Sequence, residues 1–126
     1  MKKLILGAFA SAALLCFTAG ALADEVSEVW TCTLEEGKTL DDAQAANSKW
    51  LAWMRANVNE GIRSMAVTSI VGNPQHFRWV DTYPDIVTWA AAEAALDTAE
   101  GMASEAVFNG IFECSGNELL RARPTK

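Results

Sequence analysis

The 126-residue chain has one histidine, one tyrosine, three cysteines and three prolines, and its 10 Lys+Arg are outnumbered by 16 Asp+Glu. Each scarcity closes a class of function. His76 is the lone histidine, and no Ser-His-Asp set can be ordered around it from the sequence. No second Cys or His stands at ligand spacing from Cys32 or Cys114, so no metal site is expected. There is no Cys-x-x-Cys pair and no glycine-rich phosphate loop. Phosphoryl transfer, zinc hydrolysis and thiol redox catalysis are therefore disfavoured, and no cofactor motif is present. The shortage of positive charge argues against nucleic-acid binding and against adsorption to anionic lipid, but leaves neutral and cationic small ligands open. No repeat, low-complexity stretch or interdomain linker is visible, and the length suits one small domain.

The first 23 residues have their own layout. Lys2 and Lys3 precede an uncharged apolar run from Leu4 to Thr18, and Ala21-Leu22-Ala23 supplies small residues at the −3 and −1 positions of a cleavage site. This is the pattern of a bacterial secretory signal peptide. Removing 23 residues from 126 leaves 103 (residues 24–126) and takes two lysines, so 8 basic face 16 acidic residues, a net charge of −8. Two alternatives exist. The segment Leu4 to Ala23 is long enough to span a bilayer as a retained anchor. Cys16 could mark a lipoprotein, but Leu15 stands where that signal wants a small residue. The main expectation is an exported, periplasmic or secreted domain with no stable membrane association after cleavage.

Export bears on the cysteines. Cys16 leaves with the leader, and Cys32 and Cys114, 82 positions apart, form an even pair in an oxidising compartment. A disulfide closing so long a loop stabilises by roughly 4 to 5 kcal/mol in the chain-entropy model, less any strain. Two buried thiols are the bland alternative.

Periodicity supplies the elements. Val26 to Leu34 is rich in β-branched and aromatic residues and reads as a strand before Glu35-Glu36-Gly37. Thr39 with Asp42 forms a capping pattern, and Leu40, Ala43, Ala46, Trp50, Trp53, Met54 and Val58 recur at helical spacing until Asn59-Glu60-Gly61. Arg63 to Val71 and Gln75 to Tyr83 read as a hairpin about Gly72-Asn73-Pro74. Pro84 suits a first helical position, with Ile86, Trp89, Ala90, Glu93 and Leu96 following at helical spacing. Met102 to Glu113 is ambiguous. A short helix is favoured there, with Val107 to Phe112 as a strand the alternative. A turn at Ser115-Gly116-Asn117 and a last strand from Glu118 to Arg123 complete the chain.

The order β-α-β-β-α-β predicts an α+β, ferredoxin-like fold with a four-stranded antiparallel sheet. In that topology the first and last strands are antiparallel neighbours, which brings Cys32 and Cys114 together. Pairing chemistry and topology thus agree from different residues.

The plan, the helix lettering TLDDAQAANSKWLAWM and the run VDTYPDIVTWAAAEAAL resemble the dimeric α/β-barrel superfamily, which includes small antibiotic-biosynthesis-monooxygenase-like proteins. The resemblance is one of pattern and spans nearly all of the mature chain. It implies a homodimer whose two sheets face each other and close into a barrel, covering the sheet face that helices leave bare. It also implies an apolar cavity between sheet and helices, where relatives bind or oxidise hydrophobic ligands. Haem-degrading members use an Asn, Trp and His set with the histidine on the second helix. That helix has no histidine here and the first strand no asparagine, so haem degradation is not expected.

Candidate site residues follow. His76 is a candidate proton carrier, although its place beside the turn suits an ordinary solvent contact. Alternation puts Phe77, Trp79, Asp81 and Tyr83 on one strand face and His76, Arg78, Val80 and Thr82 on the other. Trp79, Asp81 and Tyr83 could thus combine stacking with a carboxylate and a phenol, against the simpler reading that Asp81 orients the turn into Pro84. Arg78 could recognise a carboxylate, but a solvated or cross-strand charge is the commoner role. Of the five tryptophans, Trp50 and Trp89 read as core, while Trp53 and Trp79 are candidates to meet a ligand. Asn47, one turn before Trp50, would need a polar partner if buried. The favoured expectation is an exported module that binds a small hydrophobic or aromatic molecule. The alternatives are a cofactor-independent monooxygenase- or isomerase-like enzyme on an aromatic substrate, using His76, Asp81 or Tyr83, and a purely structural or interaction protein.

Overall fold

A computed structural model describes residues 24–122. The expected signal segment and the last four residues lie outside that range. Strand β1 runs Val26–Leu34, helix α1 Leu40–Asn57, β2 Arg63–Thr68, β3 His76–Tyr83, α2 Ile86–Leu96, α3 Ala99–Glu105 and β4 Phe112–Arg121, with one 3-10 turn over Ala106–Phe108. The four strands form an antiparallel sheet in the order β2-β3-β1-β4, the ferredoxin-like arrangement. Helices pack on one of its faces. Among the described residues, no helix is long and apolar enough to cross a membrane.

Local chemistry sets the helix starts. The Thr39 backbone N–H donates to Asp42 Oδ2 at 2.9 Å and the Asp42 N–H to Thr39 Oγ1 at 3.3 Å, a reciprocal capping box that satisfies two orphan donors of α1. At α2 the cap is Asp85, which accepts from the Thr88 N–H. Pro84 therefore lies outside the helix rather than opening it. Thr98 caps α3 by accepting from the Gly101 N–H. Gly101 is needed at the α2–α3 junction, where a Cβ would sit 2.2 Å from the Ala95 carbonyl oxygen.

Three further expectations are corrected. The stretch Met102 to Glu113 is not one helix, because α3 ends at Glu105, a 3-10 turn follows, and the chain is extended from Phe112. Gly110, at φ +72°, turns the chain into that strand. Ser115-Gly116-Asn117 is not a turn. Those residues lie inside β4, where the β1 register slips by one residue between Thr31 and Cys32 and Ser115 is the extra residue. The bulge re-aims the strand so that Cys114 stands directly opposite Cys32, and the two form a disulfide. The β2–β3 hairpin also has a longer loop than expected, since β2 stops at Thr68.

Two buried clusters fill the space between sheet and helices. Val26, Ile62 and Tyr83 pack with Trp50, Met54 and Ala92 at one end. Cys32, Leu34, Phe77 and Trp79 pack with Ala43 at the other. Phe77 meets both Trp79 and Phe112 edge-on, with ring centroids 5.3 and 5.4 Å apart, a favourable quadrupole geometry. Among the described residues the opposite sheet face carries no helix. There Met65 is 55%, Val67 44% and Leu120 47% exposed.

Candidate functional site

The site is built by strand alternation. On β1 the helix-facing positions are Val26, Glu28, Trp30, Cys32 and Leu34, and on β3 they are Phe77, Trp79, Asp81 and Tyr83. Between these strands and the helices lies a cavity of about 330 Å³. Its floor includes Glu28, Trp30, Trp79, Asp81 and Tyr83, α1 contributes Asn47 and Trp50, and Phe108 and Phe112 close one end. Exposed Glu93, Asp97 and Glu105 rim it from the α2 and α3 side. No Lys, Arg or His is among the lining residues.

The floor carboxylates are held differently. Glu28, 3% exposed, accepts at Oε1 from Asn117 Nδ2 and at Oε2 from Trp89 Nε1, the latter at 3.4 Å. Both its oxygens are thus anchored by neutral donors. Asp81 is also buried, but its Oδ1 has no hydrogen-bond partner among the described residues. Asn47 Nδ2 donates to Ser64 Oγ at 2.8 Å, and Ser64 stands opposite Asp81 in the β2–β3 ladder. Burial pushes the Asp81 carboxyl up to about 7, the Ser64 hydrogen bond opposes this, and the nearby Glu28 charge adds to it. Burial likewise raises the Tyr83 phenol far above its ordinary value, reinforced by Asp81 and Glu28. At the rim, desolvation raises Glu93 and Glu105, with like charges nearby as the second cause. Trp79 Nε1 is a second buried polar atom without a partner. A buried orphan donor and a buried orphan acceptor side by side in one wall are costly unless something fills the space.

The expected site residues separate into two groups. Asn47, Trp79, Asp81 and Tyr83 come together around the cavity. His76 does not. It is exposed at the start of β3, on the sheet face away from the helices. Trp53 is half-buried against the core cluster that contains Trp50 and is not among the residues lining the cavity. Asp81 does not orient the turn into Pro84, since the capping carboxylate there is Asp85. Trp50 is core, as expected, but one side of it also lines the cavity, and Trp89 serves as a donor to Glu28. Glu28 was legible and missed: it is an acidic residue on the apolar, helix-facing set of β1. The rim acids depend on how α2 and α3 are set and leave no comparable trace in the sequence. Among the described residues no three His, Cys, Asp or Glu side chains are grouped to hold a metal ion.

No family model matches the chain, and no curated protein matches it. Solved structures do. A cofactor-independent oxygenase from Streptomyces nogalater, SnoaB, superposes with a TM-score of 0.60 at 15% identity, over 82% of this chain and 97% of that one. A conserved protein of unknown function from Bacteroides thetaiotaomicron aligns with a TM-score of 0.54 at 15% identity, over 79% and 98%. A protein from Shewanella oneidensis gives 0.53 at 20% identity, over 79% and 91%. At these identities the likeness is one of fold. It agrees with the ferredoxin-like fold read from the sequence.

Proposed function

We propose that the chain is an exported module that holds a small hydrophobic or aromatic molecule between its sheet and its helices. The observation that carries this reading is the cavity, lined by four aromatic rings from the sheet floor and α1, with the buried carboxyl of Asp81 and the indole of Trp79 in its wall. Its volume lies at the lower end of small-molecule sites and suits about 12 to 15 non-hydrogen atoms at ordinary packing density. Aromatic walls supply non-specific affinity, and the few polar side chains in the wall, Asn47, Asp81 and Tyr83, supply orientation. The Cys32–Cys114 disulfide supports export, since such bonds persist in oxidising compartments. The bare sheet face with Met65, Val67 and Leu120 is the surface assigned to a second copy of the chain, which would cover it as the two sheets close.

Calorimetric titration with 1-naphthylmethanol, a neutral bicyclic probe of 12 non-hydrogen atoms, tests the site. A Kd below about 1 mM, lost when Leu96→Trp fills the space, is expected. No binding of this probe, nor of charged probes of the same shape, up to their solubility would remove the ligand reading.

A second reading rests on one specific observation. A buried carboxyl near 7 beside a phenol, in a partly dry cavity, has the properties of a general base. In the enzyme reading Asp81 takes a proton from an acidic position of an aromatic substrate, Tyr83 hydrogen-bonds the resulting anion and Trp79 stacks on the ring. The fold likeness to a cofactor-independent oxygenase raises this prior without deciding it. Turnover of any substrate found, unchanged in both Asp81→Asn and Tyr83→Phe, would sink it.

A further inference from the structure

The cavity has an unusual charge balance for an apolar site. Glu28 and Asp81 lie on its floor, Glu93, Asp97 and Glu105 rim it, and no cationic side chain is among the residues lining it. Among the described residues the side-chain ion pairs join Arg63 to Glu25 and Arg121 to Asp24, all at the surface. Most of the remaining wall is aromatic, with Trp30, Trp50, Trp79, Tyr83, Phe108 and Phe112 among the lining residues. A ring face attracts a cation through its quadrupole, and carboxylates attract it through net charge. Asp81 Oδ1, buried and without a hydrogen-bond partner, is an acceptor in want of a donor.

We propose that the occupant of this cavity is an organic monocation, a protonated amine attached to an aromatic or other apolar body, with its ammonium group facing Asp81 and the acidic rim and its body on the tryptophans. The inference rests on the ligand reading above and adds to it the sign of the ligand's charge. An organic cation fits better than a metal ion, because no three potential ligands are grouped among the described residues. A metal dication would also have to shed a hydration shell that ring faces cannot replace.

Burial and the nearby Glu28 charge raise the Asp81 carboxyl to about 7, so protons are held there part of the time near neutrality; burial raises Glu93 and Glu105 in the same direction, and Tyr83 stays a neutral phenol. An entering ammonium replaces those protons. Binding should therefore release protons around pH 7, whereas a neutral ligand should release none.

Three probes of one shape decide the matter by calorimetry at pH 7.5: 1-naphthylmethylammonium, 1-naphthylmethanol and 1-naphthoate. The expected order is cation over alcohol by at least tenfold, with the anion weakest. The cation should also release a measurable fraction of a proton, read by comparing two buffers of different ionisation enthalpy. In the rim double variant Glu93→Gln with Glu105→Gln the cation-to-alcohol ratio should fall several-fold while alcohol affinity holds within about twofold, and in Asp81→Asn the ratio should fall several-fold as well. An alcohol that binds as tightly as the cation would overturn the charge assignment and leave the cavity reading standing. A ratio unchanged in both variants would overturn the role given to these carboxylates. Failure of all three probes would remove the cavity reading itself.

Discussion

Replacing Asp81 by Asn tests whether its carboxyl is buried in the way the structure shows. The change keeps the shape and removes the charge. In the folded chain the carboxyl is pushed up to about 7, against an ordinary value of 3.8. The folded state therefore binds more protons than the unfolded state between about pH 4 and pH 7. Stability contributed at this position falls as pH rises through that window and is level above it. A gap of about three pH units at 1.36 kcal/mol each sets a ceiling of about 4 kcal/mol, with relaxation and water entry reducing it toward about 2. The Asn variant should match the wild type within about 1 kcal/mol at pH 4 and exceed it by about 2 to 4 kcal/mol at pH 8. Urea unfolding at fixed protein concentration measures both. Glu93 and Glu105, raised in the same direction, leave a residual slope in both proteins that cancels in the difference. A gap that does not change with pH, or a variant less stable at pH 8, would refute the reasoning.

Three further outcomes are expected. Cys32→Ser with Cys114→Ser should cost about 2 to 5 kcal/mol, measured by chemical unfolding against the oxidised wild type, because it frees an 82-position loop in the unfolded chain. Gly101→Ala should cost about 1 to 3 kcal/mol and lower Tm, since the added methyl meets the Ala95 carbonyl and forces α3 away from α2. Met65→Glu with Val67→Glu should leave the far-ultraviolet circular dichroism unchanged and shift sedimentation from dimer to monomer, as charge on the bare sheet face opposes its burial.

The parts of the fold that could be foreseen are those where one local rule acts alone. Strand β1 was bounded correctly because alternation runs from Val26 to Leu34 and stops at two acids and a glycine. Helix α1 showed both its capping box and its apolar stripe. The disulfide followed from topology, since β1 and β4 are antiparallel neighbours. Strand β4 misled because Ser115-Gly116-Asn117 has the lettering of a turn, yet pairing with β1 holds it extended and a bulge absorbs the extra residue. Tertiary pairing there overrides local preference. The site divides the same way. Period two placed Trp79, Asp81 and Tyr83 on one face, and the same rule applied to β1 exposes Glu28 as an acid among apolar neighbours. His76 drew interest as the single histidine, but its parity on β3 already put it on the face away from the helices. The rim formed by Glu93, Asp97 and Glu105 depends on the angle at which α2 and α3 meet, which no local pattern encodes.

The most direct test of the central claim is native mass spectrometry of the protein recovered from its host, compared with the Leu96→Trp variant prepared identically. A small-molecule mass carried by the wild type and absent from the filled variant is the predicted result. Wild-type protein that is bare under conditions where non-covalent contacts survive would contradict the claim that this cavity exists to hold a ligand.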